Sequence, residues 1–488
     1  MKISAKNTGE NLYRLCTLTM ATACLFIVLY GLGSLPLLSL NEARRAIPIA
    51  GMFSSGNWLL PYLNGELYID KPPLFYWVSL FFAVIFQSVN EWIFRLPSAL
   101  SALLVIYASY KTAAARENKW HALAVVVVLT TCTDFVMFAR RCEIEMLLTA
   151  LCAGSLFFAY QFIVLEKSKP FVYASFAFMG AAMLCKGPVA LLFCQLPLLA
   201  FAAIEKDLRA RAYLLCWQGW LLMLMIGASW YVAVTAQEGI DIWHRVIHAD
   251  IQKKISGSNS DPFYSYAQTL LASFLPWILL LLFTPKASWQ GFTCSTGRRF
   301  FLYASAIPFL ALSLFANKHA KYLLPAYPAF AILFGYRILD MAQAWPQRRQ
   351  KLLLGTGVIL LFGYCVYFAF GEGKIFGYRV QALPAFTQLA ARYKDSELVS
   401  FDEVDMRTVY YYRQPIRTVD ATQIASLHDG KPTLLLIEKE KWGKNLDLAG
   451  WQPALKLNPY ISKDQTATLY ANPAFTRQYG DRISLGQE

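Results

Sequence analysis

Residues 41–77 read NEARRAIPIAGMFSSGNWLLPYLNGELYIDKPPLFYW, and they follow the first long apolar run of the chain, at 15–39. The segment carries Glu42, Arg44 and Arg45 at one end and Asp70 and Lys71 at the other, with aromatic residues between. Charged groups next to the bilayer are costly and usually mark a functional site. The segment therefore predicts a long polar loop at the membrane surface that holds functional side chains.

The composition places the chain among polytopic membrane proteins. Of its 488 residues, 57% are hydrophobic and only 16% are charged, which is unusual for a soluble globule. The formal net charge of +14 is expected from the excess of Lys and Arg in cytoplasmic loops. No basic stripe lies on a soluble module, so we expect membrane lipids and no nucleic acid as partners.

The apolar runs predict about 11–13 transmembrane helices. They lie at roughly 15–39, 95–114, 120–138, 146–165, 171–186, 188–204, 213–235, 265–285, 299–316, 321–340 and 351–371. A shorter run at 73–89 begins with Pro-Pro. It is consistent either with a span or with a helix lying in the interface.

Loop charges favour eleven spans, with 73–89 interfacial or re-entrant. If 1–14 is cytoplasmic, the loops on the same side are basic, as the positive-inside rule requires; these loops are 111–119, 166–170, 205–212, 286–298 and 341–350. Counting 73–89 as a span would invert every later loop. Residues 41–94 and the chain after 371 then share the opposite, non-cytoplasmic face.

Two domains are predicted. Residues 1–371 form the transmembrane domain, with a non-cytoplasmic loop at 41–94, and 372–488 form a soluble α/β domain. Within the second domain, 382–394 has a helical pattern, ELVSF (397–401) and TLLLIE (433–438) have strand patterns, and a helical stretch lies near 420–427.

Basic residues gather on the predicted non-cytoplasmic face, against the usual topological bias. Snorkelling to headgroups explains any one of them, but a shared anionic ligand explains the set better. Phosphate is the natural candidate, since Lys and Arg bind it by charge and hydrogen bonds. The residues proposed to bind it are Arg44, Lys71, Lys186, His248, Lys318 and Lys321.

Acidic residues on the same face come from two loops and are Glu42, Asp70, Glu143 and Glu145. A carboxylate beside a phosphate can hold a divalent cation or act as general base toward a hydroxyl. The alternative is a salt bridge with a neighbouring Arg, and that interpretation is favoured for Glu143. No Walker loop or Rossmann fingerprint is present in the sequence, so no nucleotide is expected.

The motifs together resemble those of bacterial C-type (GT-C) glycosyltransferases of the aminoarabinose transferase and protein O-mannosyltransferase group. Residues 41–77 resemble the first periplasmic loop of that group. Further matches follow in order over about 10–340, namely RLPSAL (95–100), RRCEIEML (140–147), CKGPVAL (185–191), SWYVAV (229–234), FLPWILL (274–280) and KHAKYLLPAYPA (318–329). The ordered set is specific, although each piece alone would be weak.

The resemblance implies an inverting enzyme of the bacterial inner membrane, with its active site on the periplasmic face. It would move a sugar from a polyprenyl-phosphate donor to a lipid, protein or glycan acceptor. Asp70 matches a metal-site position for a divalent cation, Lys71 a phosphate-binding position, and Glu145 the acid of the second loop. Lys186 and His248 match polar positions near the donor phosphate.

Two departures from the group's pattern concern the base. The usual Asp of the first loop is Asn41, and the Tyr that often follows Arg44 is Arg45. Glu42 is therefore the first candidate for the catalytic base and Glu145 the second.

Two alternative functions for the protein are a non-enzymatic transporter of lipid-linked sugar or polysaccharide, and an enzyme of the O-antigen ligase type. A transporter would need polar residues along a path through the spans, whereas these charges gather on one face.

Overall fold

The computed structural model describes residues 2–116, 119–244, 261–281, 295–428, 430–439, 446–480 and 483. Its helices in the membrane domain are α1 Lys2–Leu29, α2 Leu40–Ser55, α3 Leu74–Phe86, α4 Glu91–Arg116, α5 Lys119–Thr130, α6 Thr133–Ala139, α7 Ile144–Ile163, α8 Pro170–Lys186, α9 Ala190–Cys194, α10 Leu196–Ile204, α11 Leu208–Leu214, α12 Trp217–Glu238, α13 Ser265–Ser273, α14 Thr296–Ser313, α15 Tyr327–Ala344 and α16 Gln347–Val366. A short helical segment, Ala320–Ala326, leads into α15.

Six helices of the described chain are long and apolar enough to cross a membrane, or seven if the bent pair α5–α6 counts as one span. Three further apolar helices are shorter: α3, α8 and 190–204. The predicted spans thus recur as a helical membrane domain, but several are short or broken. At the end of α8, Gly187 takes a positive φ of 80° and the chain turns before Pro188. An L side chain rarely adopts that conformation, so the CKGP motif interrupts the helix.

Helix α3 covers most of the ambiguous run at 73–89. It has 13 residues and is therefore about 20 Å long, at 1.5 Å per residue. The hydrocarbon core is about 30 Å thick. A helix of this length does not cross it unaided, which agrees with the interfacial or re-entrant placement.

The polar first loop is ordered by a helix and a hairpin. Helix α2 begins after Ser39, whose side chain accepts the N–H of Glu42, and it ends at Gly56 with φ 71°. Strands β1 (Tyr62–Leu63) and β2 (Glu66–Leu67) pair in antiparallel fashion. Asn64 and Gly65 between them both have positive φ, as an Asn-Gly hairpin turn requires.

The C-terminal part of the chain contains a five-stranded sheet. Its strands are β3 Glu397–Phe401, β4 Arg417–Val419, β5 Thr433–Ile437, β6 Gln452–Leu457 and β7 Ala467–Ala471, in the order β4-β3-β5-β7-β6. Strand β3 is parallel to β4 and β5, and β7 is antiparallel to β5 and β6. The helices before, between and after the strands are α17 Glu372–Phe376, α18 Leu383–Arg392, α19 Met406–Tyr412, α20 Ala421–Ile424 and α21 Pro473–Tyr479. The predicted α/β elements are confirmed within one or two residues, although the division at 371/372 stays a prediction, since helical structure runs across it.

Helix α19 fastens this sheet domain to the membrane domain. The Arg407 guanidinium donates to the carbonyl of Leu38 at 3.1 Å. Asn64 and Ile416 exchange two hydrogen bonds, at 2.9 and 2.8 Å, so the hairpin of the first loop also contacts the domain. The C-terminal domain therefore rests directly on the chain that precedes and follows α2.

Candidate functional site

The second loop of the predicted site is short and firmly anchored. It joins α6 to α7, and Glu143 is the N-cap residue of α7. The Arg140 guanidinium forms an ion pair with Glu372 at 2.9 Å and donates to the carbonyl of Ile27. Ser98 on α4 donates to the carbonyl of Glu143. These contacts fix the backbone from which Glu143 and Glu145 project.

Glu42, the first candidate for the base, is fully buried, and both of its carboxylate oxygens accept hydrogen bonds. Arg95 Nε lies 2.9 Å from Oε1, and the backbone N–H groups of Leu38 and Cys142 donate to the carboxylate at 2.7 and 3.0 Å. Arg141 lies 3.9 Å away. Burial raises the pKa of Glu42, but Arg95 and Arg141 outweigh it and lower the pKa to about 2.

This geometry does not favour the predicted role for Glu42. A base must reach the acceptor hydroxyl, directly or through one water, and a carboxylate with such a low proton affinity and no exposed atom is poorly suited to that. Glu42 instead joins the first loop to the second, since Cys142 and Arg141 belong to the latter. Its acidity reflects a structural ion pair.

Glu145 is the meeting point of two lysines from distant parts of the chain. Lys186 Nζ lies 3.1 Å and Lys321 Nζ 3.7 Å from the same oxygen, Oε1 of Glu145. Lys321 also lies 3.0 Å from Oε2 of Glu143, and the Lys186 ammonium lies 4.7 Å from the centre of the Tyr322 ring. The side chains of both lysines are less than one fifth exposed, so their charges act where water screens them weakly.

Glu143 has a different environment from Glu145. Burial and the charge of Glu145 raise the pKa of Glu143 to about 7, against the opposing effect of Lys321. The sequence interpretation of Glu143 as a salt-bridge partner is consistent with the Lys321 contact. The predicted partner type was Arg, however, and nothing local in the sequence indicates Lys321.

Arg45 adds a third cation on the first loop. It is 9% exposed and donates to the phenol oxygen of Tyr76 on α3 at 2.8 Å. Its guanidinium carbon lies 5.8 Å from the centre of the Tyr68 ring. The charge of Glu145 is one of the groups that raise the pKa of Arg45, after the opposing effect of burial and the larger effects of Tyr76 and Tyr68. The sequence placed Arg45 among the charged residues of the first loop, but it was not among the residues predicted to bind the phosphate.

The other predicted residues occupy varied positions. Arg44 is half-buried. Asp70 and Lys71 lie just before α3, where Lys71 is half-buried and Asp70 is exposed. Lys318 points its ammonium at the carbonyls of Asp261 and Phe315, at 2.9 and 2.7 Å, which ties two chain segments together and does not favour a phosphate contact. His248 lies outside the described residues.

A metal ion was predicted at Asp70. Among the residues that the structure describes, no group of three or more His, Cys, Asp and Glu side chains is placed to hold one. The carboxylates of Glu42 and Glu145 are both paired with basic side chains. The role of Asp70 as a metal ligand therefore stays a prediction.

Comparison with known proteins supports the resemblance. Residues 70–232 match the family of dolichyl-phosphate-mannose-protein mannosyltransferases. An uncharacterized protein of Aquifex aeolicus is 28% identical over 71% of this chain and 68% of its own. The undecaprenyl phosphate-alpha-4-amino-4-deoxy-L-arabinose arabinosyl transferase of Shewanella sediminis is 25% identical over 69% of this chain and 62% of its own. This chain thus spans about three fifths of the length of that transferase.

A solved structure shows the same fold. The crystal structure of ArnT from Cupriavidus metallidurans bound to undecaprenyl phosphate superimposes with a TM-score of 0.77, at 19% identity, over 94% of this chain and 98% of that one. The fold is therefore the GT-C architecture of a polytopic membrane protein, as the sequence predicted. Within that class, the chain is similar in sequence and fold to the aminoarabinose transferase group, so the recognition made from its motifs is confirmed.

Proposed function

We propose that this protein transfers a sugar from a polyprenyl-phosphate donor to a lipid, protein or glycan acceptor, with inversion at the anomeric carbon. The observation that carries the proposal is the convergence of Lys186 and Lys321 on Glu145. Two poorly exposed ammonium groups held by one carboxylate are suited to an anionic ligand. The relatives and the neighbouring structure, whose names include undecaprenyl phosphate, support a lipid-linked phosphate as that ligand.

The reaction balances without a redox partner. A bond forms between the acceptor oxygen and the anomeric carbon, while the bond from that carbon to the phosphate oxygen breaks. The electron pair stays on the leaving phosphate, and the acceptor proton passes to a base. Lys186 and Lys321, with Arg45 nearby, would stabilise the charge that develops on the phosphate, as preorganised cations do in a poorly hydrated site.

Glu145 is proposed to orient the two lysines, in addition to its predicted role as a base. Arg44, Lys71, His248 and Lys318 remain predicted contacts of the donor. The geometry of Lys318 supports such a role least, because its ammonium is directed at backbone carbonyls.

The active site is proposed to face the periplasm from the bacterial inner membrane. The basic loops predicted on the other side support this orientation. Under this proposal, 41–94 and 372–488 lie together on the periplasmic face, and the domain at 372–488 covers the first loop.

The test uses full-length protein in nanodiscs with a radiolabelled polyprenyl-phosphate sugar. We expect Lys186→Ala and Lys321→Ala each to weaken the binding of undecaprenyl phosphate and to lower transfer at limiting donor by at least tenfold, since hydrogen bonds to charged groups contribute about 1.5–3 kcal/mol. Lys111→Ala, an exposed lysine on α4, is the matched control and should behave as wild type. Wild-type binding and transfer in both site variants would overturn the phosphate role, and donor translocation without any glycosylated product would indicate a transporter.

The divalent cation at Asp70 stays a prediction with a direct test. Loss of transfer on treatment with EDTA, restored by Mg²⁺ or Mn²⁺ and accompanied by a comparable loss in Asp70→Asn, would support it. Unchanged transfer after chelation would exclude a dissociable metal.

A further inference from the structure

Asp134 is the centre of a polar network at the bend between α5 and α6. The chain bends by 71° between these two helices, which together are long and apolar enough to form one span. Asp134 lies in the first turn of α6 and accepts hydrogen bonds from the Ser273 hydroxyl and, at 3.0 Å, from the Tyr327 phenol. An ionisable side chain within a membrane domain is costly, and it usually serves a function.

The two hydroxyls that bind Asp134 come from separate helices and are buried. Ser273 is the last residue of α13, and Tyr327 is the first residue of α15. The Tyr327 ring also packs edge-on against Phe274, with 4.9 Å between the ring centres. Since the bilayer core holds no water to replace a lost hydrogen bond, such contacts hold their helices firmly. Asp134 therefore fixes the beginning of α15 against the beginning of α6.

A second bridge joins the same two chain segments at the ionic site, where the Lys321 ammonium lies 3.0 Å from Oε2 of Glu143. Lys321 precedes Tyr327 on the short helical segment before α15. Glu143 follows Asp134 just beyond the end of α6. Helix α6 has seven residues and is therefore about 10 Å long. One short helix on each side thus connects the Tyr327–Asp134 bridge to the ionic bridge.

We propose that Asp134 is a positioning residue for the donor phosphate site, which acts by binding Tyr327 and thereby holding the segment that carries Lys321. The inference rests on the proposed function, in which Lys321 binds that phosphate. Lys321 has a flexible four-carbon side chain, so its ammonium stays directed at Glu143 and Glu145 only while its backbone is held in place. A binding group must be held within about 0.5 Å of its productive position by supporting contacts, and the Tyr327–Asp134 hydrogen bond supplies one of them.

The alternative is that the network only stabilises the bend, and a second hydrogen bond at the bend provides the control. Thr131 accepts the indole N–H of Trp277 at 2.8 Å, and both residues are buried. This contact includes neither Tyr327 nor the segment that carries Lys321. Thr131→Val therefore removes a buried hydrogen bond at the same bend and leaves the Tyr327–Asp134 bridge intact.

Two variants break the bridge in full-length protein in nanodiscs. Asp134→Ala removes the acceptor, and the milder Tyr327→Phe removes only the phenol hydroxyl. Tyr327→Phe should lower the affinity for undecaprenyl phosphate by about three- to tenfold, the factor that one hydrogen bond represents, and Asp134→Ala should lower it at least as much. The amides of 320–326 should exchange faster in Tyr327→Phe, whereas Thr131→Val should retain wild-type affinity and wild-type exchange there. Wild-type affinity in Tyr327→Phe, or an equal loss in Thr131→Val, would overturn the inference.

A double-mutant cycle tests whether the effect passes through Lys321. In the Lys321→Ala background, Tyr327→Phe should lower the affinity further by at most about twofold, because the ammonium that it positions is absent. Losses that multiply would show that Tyr327 affects the site by another route and would overturn the inference. A wild-type protein that binds no undecaprenyl phosphate would instead refute the proposed function, and the exchange at 320–326 measures the bridge without that ligand.

Discussion

The phenol oxygen of Tyr411, on α19 of the C-terminal domain, lies 2.5 Å from the carboxylate of Glu91 at the start of α4. The same oxygen accepts the backbone N–H of Leu37 at 2.9 Å. One side chain of the sheet domain thus bridges two segments of the membrane domain. Because Leu37 leads into α2, this contact connects the C-terminal domain to the helix that carries Glu42 and Arg45.

Tyr411→Phe should weaken that connection. It removes both hydrogen bonds and leaves a partly buried carboxylate without this donor, at an expected cost of about 1–3 kcal/mol. The loss should appear as a lower melting temperature and faster hydrogen exchange at 37–42 in the full chain. Tyr470→Phe is the matched control, since Tyr470 packs in the sheet core away from this contact. Unchanged exchange at 37–42 would show that Tyr411 does not hold the segment.

The Tyr411–Glu91 contact also predicts the topology. Residues that contact each other across the two domains must lie on the same side of the membrane. Single cysteines at 90 and 430 should therefore both react with a membrane-impermeant reagent from the periplasm, whereas one at 111 should not. Labelling of 90 and 430 from opposite sides would refute both the docking and the eleven-span arrangement.

Glu42→Gln should reduce the stability of the fold more than the rate of sugar transfer. Removing one charge from a buried pair leaves the other uncompensated, and this typically costs about 3–5 kcal/mol. We expect lower folded yield and a lower melting temperature, because Arg95 is 2% exposed. Glu397→Gln, which breaks the exposed pair with Arg417, should change little. A Glu42→Gln protein of normal stability with transfer lowered by about 10²–10⁴-fold would restore Glu42 as the base.

The Glu42–Arg95 ion pair also predicts that the stability of the fold decreases at acid pH. Glu42 has a folded-state pKa of about 2, below its ordinary value of 4.5. Its contribution to stability is therefore complete above pH 4.5 and is lost as the pH falls from there toward 2. Melting temperatures of wild type and Glu42→Gln measured between pH 7 and 3 should converge toward the acid end. A constant difference over that range would contradict the ion pair.

Glu438, at the carboxyl end of β5, should have the opposite effect on the pH dependence of stability. Burial raises its pKa to about 7, and it accepts hydrogen bonds from the Tyr460 hydroxyl and the backbone N–H of Asp405. Its protonated form is favoured by folding, so its contribution is present at low pH and is lost as the pH rises from 4.5 to about 7. Protection of the β5 amides in the full chain should accordingly decline over this interval. Glu438→Gln should flatten the decline, and an unaltered pH dependence would show that another group causes it.

Much of the fold follows from local patterns. Apolar runs predicted the membrane helices, and period-two and period-3.6 patterns placed ELVSF, TLLLIE and α18 within two residues of their observed bounds. Such predictions succeed because hydrophobic burial and backbone hydrogen bonding act on neighbouring residues. The breaks in the spans were less predictable, because the angle at α5–α6 and the turn at Gly187 depend on packing against other helices.

The site shows the same division more sharply. The sequence by itself determined that carboxylates and cations from several loops would share one face, because the bilayer excludes charge and places it at the ends of spans. Only the tertiary structure decided which charges meet: Glu42 with Arg95, Glu145 with Lys186 and Lys321, and Glu143 with Lys321. The proton affinity of a carboxylate depends on its burial and on the charges within a few ångströms. Those neighbours come from residues far apart in the chain, so the motif that contains a carboxylate does not reveal which cations surround it.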